Sequence, residues 1–239
     1  MKRIFLFSLL AAIVFSSCRF VENRRIKGDG NVTTAQRSIT GFAGVETRGF
    51  IDIEVSQGDY KVTVEADQNM IPYILTDIHD GNLVVSLKDD FNSYSFTSAK
   101  VIISAPALHV FHTSGSGNIT GRGKITDTNK MELGIGGSGN VDLDINSPSV
   151  NAEIGGSGNM TLRGETKEFV SKTNGSGNTE AYDLKSETVK VSIYGSGNTN
   201  VFASVKLTAE IFGSGNVNYK GNPQINSSSH GSGSVSSAN

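Results

Sequence analysis

Residues 131–140 read Met131-Glu132-Leu133-Gly134-Ile135-Gly136-Gly137-Ser138-Gly139-Asn140, an alternating strand that runs into a glycine-rich corner. The last four residues recur: Gly-Ser-Gly-Asn begins at Gly115, Gly137, Gly156, Gly175, Gly195 and Gly213, and Gly-Ser-Gly-Ser at Gly231. Successive motifs lie 22, 19, 19, 20, 18 and 18 residues apart. A unit this short cannot bury its own apolar face, so regular repetition implies that one structural unit stacks on the next.

Residues two apart on a strand share a face. Two places before each motif stand Thr113, Ile135, Ile154, Thr173, Ile193, Ile211 and Ser229, and four before stand Phe111, Leu133, Ala152, Ser171, Val191, Ala209 and Ser227. Six before, the column is His109, Met131, Val150, Phe169, Val189, Leu207 and Ile225. The positions between carry Glu132, Glu153, Lys172, Lys190 and Glu210, the alternation of a half-buried strand. A further inward column, Leu143, Leu162, Ala181, Val201 and Tyr219, follows the motif by six residues.

Strand, corner, strand and return predict an all-β fold, a right-handed parallel β-helix of about 18–22 residues per coil. Glycine at the corner admits positive φ and close approach between coils, and asparagine is the next residue tolerated in the left-handed region. Stacking places Asn118, Asn140, Asn159, Asn178, Asn198 and Asn216 in one column, where side-chain amides hydrogen-bond along the rod as a structural corner ladder.

Residues 28–106 are rich in strand patterns but less regular, and read as a β-rich N-terminal cap to a repeat region spanning 107–239, or equally as a continuation of the helix itself. Gln57-Gly58-Asp59 reads as a hairpin turn between Phe50–Val55 and Tyr60–Glu65, and Asp80-Gly81-Asn82 as a second. The last coil, with Ser227 and Ser229 at inward positions, reads as a frayed polar end.

Residues 1–17 combine Lys2 and Arg3, an apolar stretch from Ile4 to Phe15 and Ser16-Ser17 before the single cysteine, Cys18. That is the pattern of a secretory signal, and Phe15-Ser16-Ser17-Cys18 resembles a bacterial lipoprotein motif in which Cys18 is the lipidated first residue. Residues 18–27 then form a tether. With one thiol the chain has no intrachain disulfide. Removing residues 1–17 moves the formal charge from −2 to −4, with 19 basic against 23 acidic residues, and that acidity disfavours nucleic acid as a partner.

Phe50-Ile51-Asp52-Ile53-Glu54-Val55 after Gly49, then Gln57-Gly58-Asp59, Asp80-Gly81-Asn82-Leu83 and the Gly-Ser-Gly-Asn series together resemble the head GIN domain family of auto-transporter adhesin heads, over roughly residues 42–225. The resemblance implies a secreted or lipid-anchored β-helical domain of a Gram-negative cell envelope and, by the family's name, adhesion. It brings no catalytic or binding residues with it.

Polysaccharide lyases and pectinase-like hydrolases also use β-helices, so a carbohydrate-active enzyme is the alternative. Its candidates are Asp142 and Asp144 on one outward face, Glu180 two coils on, and Arg163 aligned with Asp144. His79, His109, His112 and His230 form no metal spacing, and the Gly136–Asp142 stretch matches a calcium-repeat motif only with its aspartate one place late. No metal and no cofactor is expected. The binding candidates are the aromatic columns Tyr194 with Phe212, continued by His230, and Tyr182 with Phe202, flanked by Arg163 and Lys220. The expected role is a non-catalytic, adhesin-like or glycan-binding module held at the outer membrane by its lipid, with a structural envelope protein lacking a ligand as a third reading.

Overall fold

The computed structural model describes residues 25–89 and 93–239. Cys18, the leader before it and most of the tether lie outside the described residues. Residues Arg25–Lys27 and Ser93–Ser95 make their own two-stranded parallel pair, a unit separate from the rest.

The remainder is a parallel β-helix. The long strands Val141–Ile154, Met160–Gly175, Thr179–Gly195 and Thr199–Gly213 each run from one motif to the next and pair in parallel, with Val150, Phe169, Val189 and Leu207 in one register column. The inward columns are buried where the alternation places them. Ile135, Ile154, Ile193 and Ile211 are at most 2% exposed, as are Leu133, Ala152, Val191 and Ala209. The ends of the columns depart from this: the His109 side chain is 32% exposed, Tyr219 is half-buried, and in the outermost coil Ser227 and Ser229 are exposed and Ile225 is 44% exposed.

The corner glycines are explained by proximity. A Cβ at Gly139, Gly158, Gly177, Gly197 or Gly215 would lie 1.9–2.2 Å from the carbonyl oxygen of the matching glycine one coil before. None of these five has positive φ, and no motif asparagine does; Asp80 is the one non-glycine residue with positive φ among the described residues. The expectation of positive φ holds at the first glycine of four motifs, Gly115, Gly175, Gly195 and Gly213, with φ of 144° to 158°, and is corrected at the second glycine and the asparagine. At the second glycine, backbone contact between coils, at the ordinary strand spacing of about 4.8 Å, excludes any side chain.

The stack begins earlier than the first motif. Gly44–Gly49 pairs with Val110–Gly115, and Asp52–Gln57 pairs with Ile119–Thr126, so residues 44–57 supply the level beneath. Below it lie Asn82–Leu87 and Ala99–Ala105, parallel to those strands although later in sequence. Ile74–His79 closes one side antiparallel, through an Asp80-Gly81 turn with both residues at positive φ, as a two-residue hairpin of this kind requires. The other predicted hairpin does not form. Ala99–Ala105 lies between Asp52–Gln57 and Lys61–Asp67, pairing parallel with one and antiparallel with the other, and Val32–Arg37 covers the outside. Asp67, buried in this end, accepts N–H groups from Gly30 at 2.8 Å and Thr97 at 2.7 Å. Burial pushes its carboxyl up, but the hydrogen bonds from Thr97, Gly30 and Ser98 outweigh this and hold it below the usual carboxylate range.

The other end is polar yet ordered. Gln224–Ser229 pairs with Lys206–Ile211, Val235–Ser237 pairs with Val217–Tyr219, and Ser229 donates to the Gly233 carbonyl at 2.9 Å. Its serines therefore end the apolar core without fraying it.

Replacing Gly177 or Gly197 by valine should destabilise the chain by about 3 kcal/mol or more, because backbone rather than a yielding side chain is in the way. Alanine at the exposed neighbours Ser176 or Ser196 should cost less than about 0.5 kcal/mol. Thermal melts compare them, and equal losses at glycine and serine would contradict the close-contact account.

Candidate functional site

The asparagine column forms a continuous ladder. Oδ1 of Asn118 accepts both the backbone N–H and the side-chain Nδ2 of Asn140, at 3.0 and 2.9 Å. The pattern repeats from Asn140 to Asn159 and from Asn178 through Asn198 to Asn216, with Nδ2 of Asn178 donating to Asn159. At its base Asn118 donates to Asp52 Oδ1, and at the far end Ser234 donates to Asn216. Every rung gives downward and accepts from above, so the base needs only an acceptor oxygen, which the Asp52 carboxylate supplies. The amides are used among themselves, with backbone carbonyls of the same corner pairing across coils. Asn159→Asp should therefore lower the melting temperature, since it sets two acceptors against each other at Asn140, whereas Asp52→Asn should be much milder; melts at pH 7 order the two.

The two aromatic columns differ from each other. Tyr194 and Phe212 are 45% and 41% exposed, with ring centroids 5.0 Å apart and planes 1° from parallel; His230 continues the stack at 4.9 Å. Their faces cover one another, so the stack offers ring edges to solvent rather than flat platforms. Tyr182 and Phe202 do not share a register position: the ladder slips between Ala181 and Lys185, and Phe202 sits beside Lys185. Each ring is half-buried beneath a lysine, with Lys185 Nζ 4.3 Å from the Phe202 centroid and Lys220 Nζ 4.5 Å from that of Tyr182. Burial, and then the charge of Glu180, push the Tyr182 phenol up, which keeps its proton on at neutral pH.

The acids of the enzymatic alternative are dispersed. Asp142 is engaged by Arg163, which reaches to it from the position beside Asp144, and Asp144 lies 3.8 Å from Lys124. Glu180 accepts from Asn200 at 2.7 Å and stands two coils from Asp142, on the order of 10 Å away. Asp142 and Asp144 stay two residues apart on one strand; Asp142 and Glu180 are each hydrogen-bonded, whereas the buried Oδ1 of Asp144 makes no hydrogen bond and has only Lys124 near it. Among the described residues, no three histidine, cysteine or acidic side chains gather as metal ligands.

Sequence reasoning missed a depression of about 400 Å³ on the same face as the aromatic stack, lined by Glu46, His112, Glu132, Glu153, Gly136 and Gly155. Gly136 and Gly155 occupy the register column that holds Tyr194 and Phe212 farther along, and their exposure distinguishes them from the corner glycines. A Cβ on either would meet nothing nearer than 3.7 Å, so packing does not require glycine there. In the sequence they look like part of the motif; only the space around them sets them apart.

Fold and surface together define a β-solenoid with a filled interior, whose available chemistry is on its outer faces. The chain belongs to the family described as Putative auto-transporter adhesin, head GIN domain, whose model matches residues 41–223. A putative adhesin from Bacteroides fragilis shares its fold with a TM-score of 0.82 at 24% identity, over 89% of this chain and 99% of the other. A putative lipid binding protein from Parabacteroides distasonis is similar at 28% identity and TM-score 0.72, over 90% of this chain and 100% of the other, and a putative adhesin from the same species at 25% and 0.71, with the same coverage. No curated protein matches the chain.

Proposed function

We propose that this chain is a non-catalytic, adhesin-like module of the cell envelope, tethered to the outer membrane by a lipid on Cys18, that contacts a glycan or a surface protein through the Tyr194–Phe212–His230 stack. The observation that carries this is the stack itself. Large aromatic side chains left 45% and 41% exposed, in order, on a rigid sheet present apolar area at little entropic cost, as contact surfaces do. Support also comes from the family's name, and from the ion pairs that occupy Asp142 and Asp144. The lipid contact named for one relative would also have to be made outside, because the inward columns are filled.

Tyr194→Ala with Phe212→Ala should weaken attachment to cells or to immobilised envelope glycans by about 10- to 100-fold, at unchanged fold. Neutralising Asp142, Asp144 and Glu180 should leave attachment as it is. Polysaccharide cleavage that is lost on Asp142→Asn or Asp144→Asn would favour the enzyme instead.

The anchoring reading rests on Cys18 following Ser16-Ser17. Cys18→Ala should move the protein out of the membrane fraction or leave its leader uncut, as seen by fractionation and electrophoretic mobility. An unchanged distribution and mobility would remove the lipid anchor from the proposal.

A further inference from the structure

The row of ring edges needs a groove, and one lies on the same face of the same molecule. From N- to C-terminal coil, one outward register column reads Ser114, Gly136, Gly155, Asn174, Tyr194, Phe212, His230. The residues are arranged symmetrically by size about Asn174: two open glycines on one side, two large exposed aromatics on the other, at equal spacing. From these positions we propose that the aromatic stack docks into the glycine depression of a second copy of this chain. This rests on the aromatic-contact reading above and names the partner.

Laying one copy over another, face to face with axes antiparallel and a two-fold axis at Asn174, reverses the coil order and keeps each column opposite itself. Tyr194 then faces Gly155 of the other copy, Phe212 faces Gly136, and His230 faces Ser114. The neighbouring columns agree with this. Val170, an exposed apolar residue at 36%, stands level with Asn174 and meets its own counterpart on the two-fold. Glu210 comes opposite Gly134, over which the His112 ring lies in the same chain, and Lys190 comes opposite Asn151 with Glu132 one coil away. Within this strip the one like-charged meeting is Lys172 with its counterpart, and each Lys172 is already paired with its own Glu153 at 3.0 Å; the next outward column, at the rim, sets Glu168 against its counterpart and Lys206 against Lys130.

An interface with this register is isologous, the same patch used twice. Seven levels about 4.8 Å apart and five residues at about 3.3 Å each give roughly 550 Å² per copy, near the lower limit for a specific contact. An interface of this size is that of a weak, transient dimer. Antiparallel axes put the two amino-terminal ends at opposite ends of the pair. Chains tethered at those ends meet in this way when they stand on two facing surfaces, so the contact is homotypic adhesion.

Sedimentation equilibrium of the full chain carrying Cys18→Ser should show a concentration-dependent dimer. Gly136→Phe with Gly155→Phe should weaken it at least tenfold while the melting temperature changes little, since both positions have room for a side chain. Tyr194→Gly alone should weaken it as well, and adding Gly155→Tyr should restore it, because knob and hole have exchanged places in the same register. Asn174→Cys should cross-link to its counterpart with a short bis-maleimide, and Glu180→Cys, on the strand segment that follows the motif, should not. A chain that stays monomeric at 1 mM overturns the self-pairing, as does a dimer indifferent to the filled depression and not linked through residue 174. If the chain is monomeric yet Tyr194→Ala with Phe212→Ala still abolishes attachment to cells, the self-pairing is wrong and the contact surface stands. If the dimer forms as described and that double variant leaves attachment unchanged, the surface serves self-association alone.

Discussion

The structure depends on how near one backbone can come to another at the corner. At Gly158 and Gly197 a Cβ would lie 1.9 Å from a carbonyl oxygen, and at the first glycines of the motifs it would lie 2.1–2.4 Å away. No rotamer escapes a contact made by Cβ itself. The coils can therefore keep strand spacing on both sides of the corner only if two glycines recur in each repeat. Everything else in the repeat follows from that spacing: the amide ladder, the parallel register, and the inward columns that pack Ile on Ile and Val on Leu along the axis. Two threonines of the inward column fit the same logic, whereas the buried hydroxyl of Thr173 has no hydrogen-bond partner. Thr47 and Thr113 each turn a hydroxyl onto the corner carbonyl four residues on, at 2.7 and 2.6 Å, so a polar side chain sits in the core with its hydrogen bond made.

Much of this was legible because the repeat writes it several times. Ile135, Ile154, Ile193 and Ile211 recur at one offset, and alternation around them fixes which face is buried. The level built by residues 44–57 was not legible as a repeat, since Phe50 and Ile51 stand where later motifs have serine and glycine, and only Gly49 and Asp52 keep the corner chemistry. The hairpin expected at Gln57-Gly58-Asp59 failed for a different reason. A turn signal marks where the chain reverses but not whether the strands then pair, and here residues 99–105 come between them from farther along the sequence. The surface was the least legible part. Alternation identifies Tyr194 and Phe212 as outward, but not that their faces cover each other, nor that a bulge takes Tyr182 out of line with Phe202.

The interior and the surface divide the work. Inside, each coil repeats the same apolar and hydroxyl pattern with little variation. Outside, a single register column runs from serine through glycines to aromatics, although nothing in the packing demands that order. Variation of this sort on a face freed from the folding problem is where recognition can be written, and on that face Lys172 pairs with Glu153.

The ladder has a further consequence for how such proteins change over time. Each interior rung presents the same donors below and the same acceptor above, while Asp52 and Ser234 serve as unlike end fittings. A whole repeat of 18 to 22 residues can be added or removed between those ends without altering either fitting. Rod length is then a quantity that selection can adjust in fixed steps, by duplication or loss of a unit. Each step changes the reach of the molecule by about 4.8 Å and shifts the outward residues beyond it by one level relative to those before.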